Sequence, residues 1–160
     1  MQQATGDEFS YPQGFLSLAK NVGIKDSSLD LAVIYSTVRA RAAAVFTRNR
    51  FPGAPVIVGR KHIAKGFVQA LVVNSKNANV AMGNQGIDNA IETCRIVGEE
   101  LSINPYEVLP FSTGVIGRPL PMTELSSSPP ASSTTDSVLL SFARVTRLVA
   151  PARPKAAWIR

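Results

Sequence analysis

The residues of this sequence best placed to do chemistry are the pair Thr113-Gly114. They stand between an apolar run, Val108-Leu109-Pro110-Phe111, and an exit punctuated by Gly117, Pro119 and Pro121. Such a turn carries the backbone out of a buried strand. Glycine there accepts dihedrals and close approaches that a Cβ forbids, so a hydroxyl and backbone N–H groups can be offered to a ligand oxygen. An ordinary strand-to-loop turn has the same composition, and the motif by itself does not separate the two. A second polar group is Asn74, Asn77 and Asn79, at spacings of three and two. Asparagine tolerates left-handed backbone and bonds its own main chain, so these residues suit either a structured turn or a polar loop that walls a substrate cleft, with Asn77 and Asn79 as the cleft candidates. His62 lies between Lys61 and Lys65, but the sequence identifies neither a nucleophile nor an orienting acid for it. Cys94 is the only cysteine, which excludes an internal disulfide. With one histidine and one cysteine, no metal site is expected.

These groups need a scaffold, and apolar patterning supplies its outline. The run Asp30-Leu-Ala-Val-Ile-Tyr35 reads as a strand covered on both faces, and Ala70-Leu-Val-Val73 as the clearest buried strand. Residues 42–47 are also strand-like, although the alanines leave 39–44 ambiguous with a short helix. After the turn Phe51-Pro-Gly-Ala-Pro55, Val56-Ile-Val58 reads as a third short strand, with one or two helical turns between Gly59 and Gly66. Helical periodicity is strongest over Ile87, Ala90, Ile91, Cys94, Val97 and Leu101, which define one apolar face. Asp88 is expected near the helix start, and Cys94 on the stripe is expected to be a core residue. Ser102-Ile-Asn-Pro105 closes this helix and returns the chain to the strand before Thr113.

The totals bound the class. A chain of 160 residues, 45% hydrophobic and 18% charged, has the composition of a globular domain. No apolar run approaches the roughly 20 residues of a bilayer span, and Asp7 and Glu8 near the start are unlike a basic targeting peptide. A cytoplasmic protein is expected, without a membrane partner. The net charge of +6 is scattered rather than clustered, which argues against a nucleic-acid partner. Three segments follow from composition: a polar arm over 1–13, a domain over 14–122, and a low-complexity basic tail over 123–160. In the tail, Val138, Phe142, Val145 and Val149 could line one face of a basic helix suited to a partner or a membrane surface.

Taken in order, the landmarks resemble the ornithine acetyltransferase family, the bifunctional glutamate N-acetyltransferases of the cyclic arginine pathway. Gly23-Ile-Lys25 and Asp30-Leu-Ala-Val-Ile34 are similar to its opening elements, and Ala44-Val-Phe-Thr-Arg-Asn-Arg50 to its Val-Phe-Thr and Asn-Arg segment. Asn77-Ala-Asn79 with Gly83 is similar to its Asn-Ala-Asn loop. Ser112-Thr-Gly-Val-Ile-Gly117 with Leu120-Pro-Met122 is similar to its most recognisable signature. Lys76 stands where the family usually has glycine, and Met82 where it usually has threonine. The Arg-Asn-Arg-Phe and Lys-Asn-Ala-Asn-Val wording is nearer to the branch found beside β-lactam biosynthesis genes.

The resemblance implies an α/β (α+β) fold, a layered helix-sheet-sheet-helix sandwich like that of N-terminal nucleophile hydrolases, present here only in part. It also implies a chain that cuts itself at an Ala-Thr bond into α and β parts. The new N-terminal threonine then carries acetyl from N-acetylornithine, or from acetyl-CoA, to glutamate by a ping-pong route. Thr113 and Gly114 would form the oxyanion hole, with no bound cofactor and no nucleophile in this chain. The expected partner is the β chain of the same enzyme, in an α/β hetero-oligomer. Residues 123–160 match none of the family's later elements and read as a replaced or out-of-frame terminus. The rival expectations are a non-catalytic binding or assembly protein and a membrane-surface protein attached through the tail.

Overall fold

A computed structural model describes residues 12–126; the expected polar arm, most of the low-complexity tail and its basic helix lie outside the described residues. Four strands form one sheet in the order β1-β2-β3-β4: β1 (Phe15–Lys20), β2 (Leu31–Arg41), β3 (Phe67–Asn74) and β4 (Val108–Ser112). The first three are antiparallel neighbours, and β4 joins β3 in parallel, with Ala70 opposite Val108 and Asn74 opposite Ser112. A parallel pair needs a long crossover, which here contains helix α2 (Gly83–Glu100). Helix α1 (Ala54–Ile63) connects β2 to β3, and a short helix α3 (Met122–Ser126) follows the last strand.

Strand β3 shows how the layers arise. Its side chains alternate between faces, and Val68, Ala70, Val72 and Asn74 are buried while their neighbours are only partly covered. Ala70, Val72 and Val108 meet Ala54 and Val58 of α1 and Ala90, Cys94 and Val97 of α2 in one core, against which Leu31, Val33 and Tyr35 of β2 pack. A fully buried valine of this kind contributes about 1.5–3 kcal/mol. The other face of the sheet carries Phe15, Ile34, Leu71, Val73 and Phe111 in register, and Phe15, Ile34 and Phe111 remain exposed. The chain is therefore α+β, with one helix layer on one sheet. The second sheet of the expected sandwich is not found among the described residues.

Several expected elements change type. Val56-Ile-Val58 lies in helix α1, not in a strand. Pro55 in the first helical turn, Gly53 as N-cap, and the buried stripe Ala54, Val58 and His62 at intervals of four outweigh the β-preference of the branched side chains. Residues 42–47 belong to no ladder: β2 ends at Arg41 and the chain runs on without regular structure to Gly53. The stretch before Asn21 is a strand, β1, which the sequence pattern did not mark. Helix α2 begins at Gly83, so Gly86 falls inside it and Asp88 beyond its first turn. Its buried stripe is Gly86, Ala90, Thr93, Cys94, Val97 and Gly98, while Ile91 is 45% exposed. Thr93 can replace an apolar residue there because its hydroxyl donates to Asn89 O at 2.8 Å.

Candidate functional site: a pinned Thr-Gly turn

The loop after β3 and the loop after β4 leave the sheet side by side, because the two strands are parallel neighbours, and they are stitched together residue by residue. Thr113 N–H donates to Asn74 O at 3.0 Å, Val115 N–H to Lys76 O at 3.0 Å, Ala78 N–H to Val115 O at 2.9 Å and Gly117 N–H to Val80 O at 2.9 Å. The loops thus cross as a short irregular ribbon in which Asn77 pairs with both Thr113 and Val115. Gly114 sits at the tightest point, with φ of +134°, and a Cβ built on it would lie 2.2 Å from the Lys76 carbonyl carbon and 2.6 Å from Asn77 N. Only glycine fits there, since no side chain could displace backbone held on both sides.

The asparagines turn out to be the pins of this arrangement. Asn74, at 4% exposure, donates from Nδ2 to Asn77 O at 2.8 Å and accepts at Oδ1 from the Ser112 hydroxyl at 2.5 Å. Asn77, at 5% exposure, donates both amide hydrogens, to Arg118 O at 3.0 Å and Pro119 O at 2.9 Å, and accepts from Asn79 N–H at 2.8 Å. Both amide hydrogens are spent on backbone, so Asn77 folds the exit of the Thr-Gly turn back onto the β3 loop. Asn79 is fully buried; its Nδ2 donates to Gly86 O at 2.8 Å and its carbonyl accepts from Ala54 N–H at 3.1 Å, so it fixes the starts of both helices. Its Oδ1 has no hydrogen-bond donor and rests beside Gly86. Asn79 lines a shallow cavity of about 270 Å³ with Phe51, Ala54, Met82 and Ile87, and neither Thr113 nor Gly114 borders that cavity.

What the turn presents is narrower than the sequence suggested. The Thr113 N–H is consumed by Asn74 O, which leaves the Thr113 hydroxyl and the Gly114 N–H as the donors without a partner among the described residues. Both residues are exposed, and around them Phe111, Val115 and Ile116 form an apolar rim at 46%, 54% and 61% exposure. Lys76 and Asn79 hold left-handed backbone at φ of +74° and +50°. That conformation is natural for asparagine and unfavourable for lysine, which gives a physical reason for the glycine usual at position 76 in the family the sequence resembles.

The remaining candidates lie elsewhere. His62 is buried, with Nδ1 2.8 Å from Val108 O and its ring 5.0 Å from that of Tyr106. The Cys94 thiol donates to the same carbonyl at 3.5 Å, and its burial pushes its pKa up to about 12. Val108 opens β4 whereas Thr113 follows its end, a separation of roughly 15 Å at strand rise, so both side chains serve the core. Two acids that the sequence reading did not single out do structural work. Asp30 accepts from Val22 N–H and Lys25 N–H, both at 2.8 Å, which ties the Gly-Ile-Lys loop to the start of β2. Glu107 pairs with Arg39 at 2.7 Å, beneath a guanidinium that lies 3.9 Å from the Phe67 ring centre.

Residues 17–148 match the ArgJ family. The chain belongs to the ArgJ family. Its relatives include arginine biosynthesis bifunctional protein ArgJ 2 of Clostridium acetobutylicum, 46% identical over 114 residues, which are 71% of this chain and 29% of that protein. The ArgJ protein of Staphylococcus aureus strain COL is 44% identical over 122 residues, 75% of this chain and 30% of that one. Among solved structures, the ArgJ protein of Bacillus halodurans superposes with a TM-score of 0.69 at 37% identity, covering 71% of this chain and 60% of that chain. The Mycobacterium tuberculosis ornithine acetyltransferase, solved with ornithine, gives 0.68 at 36% identity, covering 71% and 63%. The chain thus spans about 30% of the length of the curated ArgJ relatives it matches. The family match also runs past Met122 into the tail. Among the described residues, no helix is long and apolar enough to cross a membrane.

Proposed function

We propose that this chain is the oxyanion-hole-bearing part of an acetyltransferase that moves acetyl from N-acetylornithine, or from acetyl-CoA, to glutamate. The observation that carries this reading is the Gly114 crossing: a backbone N–H and the neighbouring Thr113 hydroxyl are held in fixed, unpartnered positions by a loop that tolerates no Cβ. Acyl transfer through a tetrahedral intermediate requires donors fixed in advance of the charge they stabilise. The bonds from Asn74, Lys76 and Asn77 supply that rigidity before any substrate binds.

The attacking hydroxyl would come from the part of the family that this chain does not span, a β chain whose terminal threonine carries the acetyl group and whose α-amine takes the proton. The exposed Phe111, Val115 and Ile116 beside the donors would then be covered by that chain, which would exclude water from the charged intermediate.

The test is acetyl transfer from N-acetylornithine to glutamate. The chain alone should give no acetylglutamate, and addition of a complementing β chain should give turnover. Thr113→Ala in the complemented enzyme should lower kcat by about 10²–10³ with little change in KM, because the donor acts on the transition state. A loss confined to KM would remove Thr113 from this role. No turnover on complementation would favour a non-catalytic assembly protein.

A further inference from the structure

The Thr113-Gly114 turn is flanked by two cations, Lys76 and Arg118, that take no part in holding it. We propose that these two side chains sort substrates by charge, favouring the second carboxylate of glutamate and opposing the side-chain ammonium of N-acetylornithine, an inference that rests on the acetyltransferase reading above.

Three observations carry it. First, both backbones are fixed against the turn. The Lys76 carbonyl carbon lies 2.2 Å from the point where a Gly114 Cβ would stand, and its oxygen accepts from Val115 N–H at 3.0 Å. Arg118 follows Gly117, whose N–H donates to Val80 O at 2.9 Å, and the Arg118 carbonyl accepts from Asn77 Nδ2 at 3.0 Å. A lysine head reaches roughly 6 Å from its Cα, so the Lys76 charge stays within about one Debye length of the Gly114 N–H.

Second, both charges are free. Lys76 and Arg118 are exposed, and neither side chain has a hydrogen-bond or ion-pair partner among the described residues. Arg39, by contrast, is spent on Glu107, and Arg95 on Glu92 and Glu99. No aspartate or glutamate occurs over residues 31–87 or 108–123, the stretches that contain the turn and the loop that pins it. Asp30, just before them, is buried, with its two carboxylate oxygens taken by Val22 N–H and Lys25 N–H. Third, lysine is held at position 76 against its backbone preference, at φ of +74°. Glycine would make the same turn without strain, so what lysine adds there is its charged side chain.

The field of these two cations has one sign. The exposed Phe111, Val115 and Ile116 beside them are apolar, and low-dielectric walls strengthen such a field. At neutral pH N-acetylornithine carries one carboxylate and one ammonium, whereas glutamate carries two carboxylates. The field therefore draws the acceptor in and holds the ammonium of the donor off. A charge on a flexible stem acts on the bound substrate and on the transition state alike, so its effect falls on KM more than on kcat.

The experiment measures KM for glutamate and for N-acetylornithine in the complemented enzyme, at low and at high salt. Lys76→Gln keeps a side chain on the same backbone and removes the charge. It should raise KM for glutamate about three- to tenfold and lower KM for N-acetylornithine, with an unchanged thermal midpoint. Arg118→Gln should shift both constants in the same directions. Lys76→Arg should keep the wild-type ratio of the two KM values, and Lys76→Glu should invert the preference. The gap between wild type and Lys76→Gln should narrow at high salt, as screening requires. An unchanged KM ratio when both residues are replaced by glutamine, or an equal shift for the two substrates, overturns the charge sorting and leaves the acetyltransferase standing. Absence of turnover in the complemented wild type sinks both.

Discussion

Replacing Gly114 by alanine is the sharpest perturbation of the candidate site. The new methyl would lie 2.2 Å from the Lys76 carbonyl carbon, 2.4 Å from its oxygen and 2.6 Å from Asn77 N, whereas ordinary contact begins near 3.4 Å. Relief therefore demands that the two loops part by about 1 Å, and backbone cannot rotate away as a side-chain tip does. Parting them breaks or lengthens the Val115 N–H to Lys76 O and Ala78 N–H to Val115 O bonds, at about 0.5–1.5 kcal/mol each. The φ of +134° adds roughly 1–3 kcal/mol for any residue with a Cβ. Together the loss should be about 2–6 kcal/mol in urea unfolding of the chain. In the complemented enzyme, a 1 Å displacement of a donor should cost on the order of 10²-fold in acetyl-transfer rate. Gly117→Ala is the internal control: Gly117 has φ of +72° but open space around it, so only the dihedral cost of roughly 1–2 kcal/mol applies. If Gly114→Ala is no more destabilising than Gly117→Ala, the turn is not pinned and the preorganisation argument fails.

Other consequences are as direct. Asn77→Ala removes both donors to Arg118 O and Pro119 O and strands the buried Asn79 N–H, so unfolding free energy should drop by about 2–4 kcal/mol, with faster amide hydrogen exchange at Gly117; equal exchange rates would deny Asn77 its positioning role. Lys76→Gly should leave stability unchanged or raise it by up to about 1 kcal/mol, while Lys76→Val, which keeps a Cβ at the same φ of +74° and adds a β-branch, should be less stable than the wild type; the reverse order in thermal denaturation would contradict the backbone assignment. Cys94, with its pKa pushed from 9.0 to about 12, keeps its proton in the folded state where the unfolded chain has released it. Its contribution is intact below pH 9 and is lost as pH rises from about 9 toward 12, by about 1.4 kcal/mol per pH unit. Urea midpoints at pH 8 and 10, compared with those of Cys94→Ala, should show this extra decline in the wild type alone.

Much of this protein was readable before any coordinates. The continuous apolar residues of Ala70-Leu-Val-Val73 and the three-and-four spacing through Cys94 are local signals, and the buried strand β3 and helix α2 follow them. The ordered landmarks from Gly23 to Met122 likewise carried the family. Local pattern misled where tertiary contact outvotes propensity: Val56-Ile-Val58 is helical because Gly53 and Pro55 start a turn and α1 must bury Val58 and His62 against β4. It also misled at residues 42–47, which join no ladder among the described residues. No pattern could reveal that Thr113 N–H is spent on Asn74 O, or that Asn77 bonds Arg118 and Pro119 some forty residues away. Those bonds exist because β3 and β4 run parallel, which places two loops distant in sequence at one end of the sheet. The sequence by itself determined that a Thr-Gly turn and an Asn-rich loop exist. Only the tertiary structure decided that the two are pinned together, and that the Thr113 hydroxyl and the Gly114 N–H are left without a partner among the described residues.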